Sequence, residues 1–135
     1  MSNEAVSIST SQYIKTVKAN IDGRIYTVRK IGAGEQLDIS REASKLQELQ
    51  TEMMNLHAKY EVTKDKDEKL KIDLEFAKYA GTVSDIIERM ESVYASLFDD
   101  GEDGVYAKKL VHTLGLENTR KVYEQIMESL DEKSA

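Results

Sequence analysis

The hydrophobic period of the chain changes once, at Gly32-Ala33-Gly34, and that change limits the architectures open to it. Before it, β-branched and aromatic residues alternate with polar ones at the two-residue spacing of a strand. After it, apolar residues recur every three to four positions, the spacing of an amphipathic helix. A segment patterned for one period buries poorly in the other conformation, because half of its apolar residues then face water. The chain is therefore read as a β-hairpin followed by helices, an α+β fold that is mostly α.

Residues 13–31 carry the hairpin. Tyr13 to Asn20 forms the first run, with Lys15, Val17, Ala19 and Ile21 on one side and Ile14, Thr16 and Lys18 on the other. Asp22-Gly23 supplies the turn, because both positions tolerate positive φ. Arg24 to Ile31 is the second run, rich in residues that favour strands. Neither face is cleanly apolar, and two strands alone are marginal in water. The hairpin must lean on the helices or pair with strands from another chain. Gly32-Ala33-Gly34 then reads as a strand-to-helix turn that needs a permissive backbone. It lacks the third glycine of a dinucleotide fingerprint and the Gly-Lys-Ser/Thr of a P-loop.

The helical body spans 35–131. Leu46, Leu49, Met53, Leu56 and Tyr60 lay one stripe along a first helix over about 35–60, extended towards its start by Ile39 and Ala43. Asp65 and Glu68 then resemble a capping box. The second long helix carries Phe76, Tyr79, Val83, Ile86, Met90, Val93 and Leu97, and Gly81 is expected to be tolerated inside it. Matching stripes and a short polar link predict a long antiparallel helical hairpin within a bundle of about four helices. Asp99 to Gly104 is a loop, from which Asp103 could cap a short helix ending at Leu114 before Gly115. A final helix runs from about Glu117 to Asp131, with Leu116, Thr119, Val122 or Tyr123, Ile126 and Leu130 on its apolar side. The expected organisation is a disordered lead-in over 1–12, one domain over 13–131 and a frayed tail over 132–135.

Composition narrows the chemistry. The 135 residues include no cysteine and no proline, and they carry a net charge of -6. Disulfides, thiol nucleophiles and Cys-ligated zinc are excluded. The acidic excess lies in residues 61–135, whereas the hairpin holds Lys15, Lys18, Arg24, Arg29 and Lys30 against Asp22. Nucleic-acid binding is not expected of an acidic chain, because phosphate backbones demand clustered basic charge. The dipolar layout either orders self-association head to tail or reflects edge-strand lysines that prevent aggregation. No apolar run reaches the roughly 20 residues of a membrane span, and the start of the chain lacks the pattern of a secretory signal. A protein that stays in the cytoplasm is expected. The acidic loop fails the calcium-loop spacing, since Gly101 or Gly104 falls where a ligand is needed. His57 and His112 lie on different helices with no second ligand at convincing spacing. No catalytic, metal or cofactor site is expected. Tyrosine is enriched at protein interfaces, and Tyr94, Leu97, Phe98, Tyr106 and Tyr123 gather around the acidic loop. They are the candidate partner-binding surface, for an apolar helical client; the alternative is that the tyrosines roof the core with their hydroxyls in water.

The stretch Tyr26-Thr-Val-Arg-Lys-Ile-Gly-Ala-Gly-Glu-Gln-Leu-Asp-Ile-Ser40, after the Ile21-Asp-Gly-Arg-Ile25 turn, resembles the start of tail assembly chaperones of long-tailed phages and prophages. Those proteins often open with a DG-x-x-Y hairpin and then a GxGE-x-LDI lead into a helical body. The likeness is specific over residues 20–40 and architectural beyond them. It implies a non-enzymatic protein of the host cytoplasm that binds and solubilises the tape measure protein, recruits tail tube subunits and is absent from the mature virion. A homo-oligomer is expected. The rival from a different class is a self-associating helical adaptor with no client.

Overall fold

The computed structural model describes residues 4–134 and has the element order β1 (Thr16–Ile21), β2 (Arg24–Arg29), α1 (Ala33–Val62), α2 (Lys66–Ser96), β3 (Phe98–Asp99), α3 (Val105–Leu114) and α4 (Leu116–Ser134). The fold is α+β, mostly α, with the expected hairpin followed by four helices. Asp22 and Gly23 take φ of 52° and 89°, the double left-handed turn whose twist matches a two-residue hairpin. Asn20 Oδ1 accepts from the Gly23 N–H at 2.9 Å and steadies that turn.

A third strand, short enough to carry no readable period, completes the sheet. β3 pairs antiparallel with β2, Thr27 opposite Asp99 and Val28 opposite Phe98, giving the order β1-β2-β3. The hairpin therefore leans both on helices and on a strand of its own chain. Val17, Ala19, Ile21, Tyr26 and Val28 form its inner face, and Val28 is fully buried. Tyr26, Phe98 and Tyr123 stack edge to face, with centroids 6.2 and 6.3 Å apart. Ile86, Leu97, Val111 and Thr119 are the other large side chains that are fully enclosed.

α1 and α2 form the antiparallel hairpin within one chain. Arg89 of α2 meets Glu42 of α1 at 3.0 Å near the base, and Lys69 lies 4.9 Å from the Tyr60 ring near the tip. α2 runs unbroken through Gly81, and Asp65 caps its start by accepting from the Asp67 N–H at 3.2 Å, without help from Glu68. Ala43, expected on the inner stripe of α1, is exposed.

Three local expectations change. Gly32 sits at φ -74° and Gly34 lies inside α1, so neither needs the left-handed region. What the turn uses is Glu35, which accepts from the Gly32 N–H at 3.0 Å. In the lead-in, Thr10–Tyr13 forms a 3-10 turn, whereas 4–9 carry no helix or strand; residues 1–3 lie outside the described residues. α4 continues past Asp131 to Ser134, because no glycine or proline follows Gly115 to stop it, and Ala135 lies outside the described residues.

A candidate protein-binding surface

The surface is built on a rigid base. Arg29, at the end of β2, makes a two-pronged ion pair with Glu35 in the first turn of α1, at 2.7 and 2.8 Å. Its guanidinium also reaches Ser96 Oγ at 3.2 Å, and its N–H donates to the Leu97 carbonyl at 3.0 Å. One residue thus ties the sheet to the start of α1 and the end of α2. The Arg29 fork, against the cost of burial and with help from the Gly32 N–H, holds the Glu35 carboxyl down at about 2. A bidentate arginine–carboxylate pair fixes direction as well as distance, so the angle at which the helical hairpin leaves the sheet is set here.

The acidic loop provides the second anchor. Asp100 is buried, and its carboxylate accepts from the N–H groups of Glu102, Gly104, Tyr106 and Ala107 at 2.8 to 3.0 Å. Asp100, not Asp103, caps α3; Asp103 instead takes a positive φ of 56° in the loop. Burial opposes the charge, but the four backbone donors outweigh it and hold the carboxyl at about 2. The loop is thus a structural latch between β3 and α3.

The five residues expected to form a binding surface separate. Tyr94, Leu97, Phe98 and Tyr123 are buried in the core cluster. The Tyr123 hydroxyl accepts from the Ile31 N–H at 2.7 Å and donates to the Arg29 carbonyl at 3.2 Å. These four are corrected to core positions: Leu97 and Phe98 run from the end of α2 into β3, which pairs with β2, and Tyr94 and Tyr123 face the same cluster. Tyr106 alone is exposed, with the Arg24 guanidinium stacked 3.3 Å from its ring centroid. With Arg24 on Tyr106 and Arg29 on Glu35, two of the five hairpin cations are already engaged. His57 and His112 are exposed beside Glu61 and Glu91, at 3.6 and 3.4 Å. Among the described residues, no group of three or more His, Cys, Asp or Glu is placed to hold a metal, and no helix is long and apolar enough to cross a membrane.

The arm formed by α1 and α2 carries a run of exposed large hydrophobics, Met54, Val62, Leu70, Leu74 and Phe76. On α1 the core cluster reaches only to Leu49, so α1 runs on for about 20 Å beyond it at 1.5 Å per residue. Between residues 50 and 80, Ile72 alone is buried. The inner stripe residues Met53, Leu56, Tyr60 and Tyr79 are only half-buried, and Phe76 is 37% exposed. A crease of about 260 Å³ opens between the helices near the tip, floored by Leu56, Tyr60, Ile72 and Phe76.

Each arm helix also carries a second apolar line on its outer side. Leu70, Leu74 and Ala77 on α2 follow i, i+4, i+7 spacing, and Met54, Ala58 and Val62 on α1 follow i, i+4, i+8; all six are exposed. At 100° per residue, Leu70 and Leu74 lie opposite Ile72, so they point away from α1. Met54 is 72% exposed and Leu74 is 64% exposed. The sequence reading followed the inner line and missed the outer one, although its i, i+4 spacing was there to be counted. Comparisons with protein-family models, with curated proteins and with solved structures find no match for this chain.

Proposed function

We propose that the chain is a non-enzymatic assembly chaperone of phage tails, which binds and solubilises the helical tape measure protein in the cytoplasm, recruits tail tube subunits and then leaves. The observation that carries this reading is the arm, a two-helix projection whose inner crease and outer lines leave apolar side chains in water. Exposed apolar stripes at helical spacing suit a helical client, which would lay its own stripe against them. The resemblance over residues 20–40 supports the same reading. Those residues form β2 and the start of α1, in the base that aims the arm.

Co-expression with the tape measure protein tests it. The wild-type chain is expected to keep that long client soluble. Met54→Glu with Leu74→Glu should let the client aggregate while the circular dichroism of the chaperone is unchanged, because both side chains are exposed before binding. Undiminished solubilisation by the double variant removes the arm from the reading, and no solubilisation by the wild type ends it. A second reading uses the same outer line of α2, whose Leu70, Leu74 and Ala77 have the spacing of a coiled-coil seam. A fixed small oligomer whose mass ignores the client would favour that self-associating adaptor.

A further inference from the structure

Of the two outer strands of the sheet, β1 is the longer, six residues against the two of β3. Among the described residues no strand pairs with the side of β1 away from β2. The two-residue turn makes Ile21 and Arg24 a hydrogen-bonded pair, and the register then alternates through Ala19 with Tyr26 and Val17 with Val28. Thr16, Lys18 and Asn20 therefore direct their N–H and C=O groups outward along the open edge.

The edge borders a groove with an apolar centre and polar margins. Val17, Ala19 and Ile21 of β1, with Val122 and Ile126 of α4, give a hollow of about 350 Å³ its apolar lining, and Gln125, Ser129, Lys18 and Asn20 border it. The hollow therefore occupies the angle between the open edge and α4, where an added strand would lie. By alternation along β1, the Lys18 side chain points to the other face and leaves the groove clear.

The chain itself holds a segment that fits. Val6 and Ile8 are 86% and 66% exposed. They stand two residues apart, so in an extended segment both project to one side, matching the spacing of Val17, Ala19 and Ile21. Val6 to Ser9 bring no charge into the groove. The segment does not lie on the edge of its own chain, and the Thr10–Tyr13 turn separates the two.

We propose that residues 5–9 of one copy add as a strand to the β1 edge of a second copy, with Val6 and Ile8 seated in the groove against α4. Strand addition draws its affinity from main-chain hydrogen bonds and its register from alternate side-chain pockets. The two surfaces differ, so the contact is heterologous and repeats into a ring or an open chain. This inference stands apart from the client reading, though a repeating contact would suit a coat on a long client.

The absence of cysteine makes the test clean. Ser7→Cys and Lys18→Cys are prepared separately and mixed under mild oxidation. A mixed disulfide dimer is expected at several-fold the yield found when Ser40→Cys, on the exposed side of α1, replaces Lys18→Cys. Sedimentation velocity of the wild type should show mass rising with concentration. Val6→Asp with Ile8→Asp should return it to the monomer with an unchanged thermal melt. A monomer at every concentration, a yield no higher than the Ser40→Cys control, or an oligomer that survives the Asp pair overturns the proposal. A protein carrying both Ser7→Cys and Lys18→Cys that closes only within one chain overturns the assignment to a second copy.

Discussion

Four backbone N–H groups converge on the Asp100 carboxylate, two on each oxygen. The ionised form is thereby favoured in the folded state, and the carboxyl stands at about 2 against an ordinary 3.8. A lowered value stabilises the fold fully above the ordinary range, and that stability is lost as pH falls towards about 2. Glu35, held at about 2 against an ordinary 4.5, acts in the same window and with the same sign. Thermal melts should therefore drop steeply between pH 4.5 and pH 2. Asp100→Asn keeps one acceptor oxygen and turns an N–H donor towards two others, so it should lower the melting temperature at neutral pH and flatten the acid slope. An unchanged slope would mean that Asp100 is not the latch. Thr119 offers the opposite case: its hydroxyl is fully buried and has no hydrogen-bond partner among the described residues. An unmade buried hydrogen bond costs about 1–3 kcal/mol, so the near-isosteric Thr119→Val should raise stability by about 1 kcal/mol in urea titrations. Neither role was legible in the sequence, because both depend on which way a polar side chain turns.

The helical hairpin shows what periodicity can and cannot reveal. Its inner line was readable from Leu46 to Tyr60 and from Phe76 to Leu97, because a packed seam repeats over many turns. The outer line was not found, since Met54, Ala58 and Val62 sit among charged residues and bury nothing in a single copy. β3 escaped because two residues have no period, and it exists only because β2 offers an edge. Gly81 tests whether α2 is a continuous rod. A Cβ built there meets nothing within 4 Å, and alanine is favoured over glycine in a helix interior by about 1 kcal/mol. Gly81→Ala should therefore stabilise the protein by up to about 1 kcal/mol in denaturant titrations. Destabilisation would show that α2 needs a flexible point between arm and base. Hydrogen exchange should follow the same division, with amides between 50 and 80 exchanging faster than those of the base, where the buried contacts lie.

At the scale of the whole molecule, core and candidate binding surface occupy different ends of the same two helices. The tyrosines near the acidic loop looked like an interface because sequence proximity to an exposed loop suggests exposure. In the fold Asp100 is buried while Gly101, Glu102 and Asp103 stay exposed, and Tyr94, Leu97, Phe98 and Tyr123 pack into the core cluster beneath them. The core cluster draws on β1, β2, both helices from Ile39 to Leu49 and from Ile86 to Ala95, and positions of β3, α3 and α4 up to Met127, but on nothing between 50 and 80. The base should therefore fold without the arm. The pairings of Glu42 with Arg89 and of Tyr60 with Lys69 place Glu52 across from about Lys78. Replacing residues 53–77 by a short Gly-rich link should preserve a cooperative melt close to that of the full chain. It sacrifices Ile72, the buried residue of the arm, but leaves the Arg29–Glu35 and Arg89–Glu42 pairs and the Asp100 latch intact. In co-expression the shortened protein should fold yet fail to keep the client soluble. If it still does so, the client surface lies on the base; if it does not fold, the arm is part of the stability of the molecule and its exposed lines need another explanation.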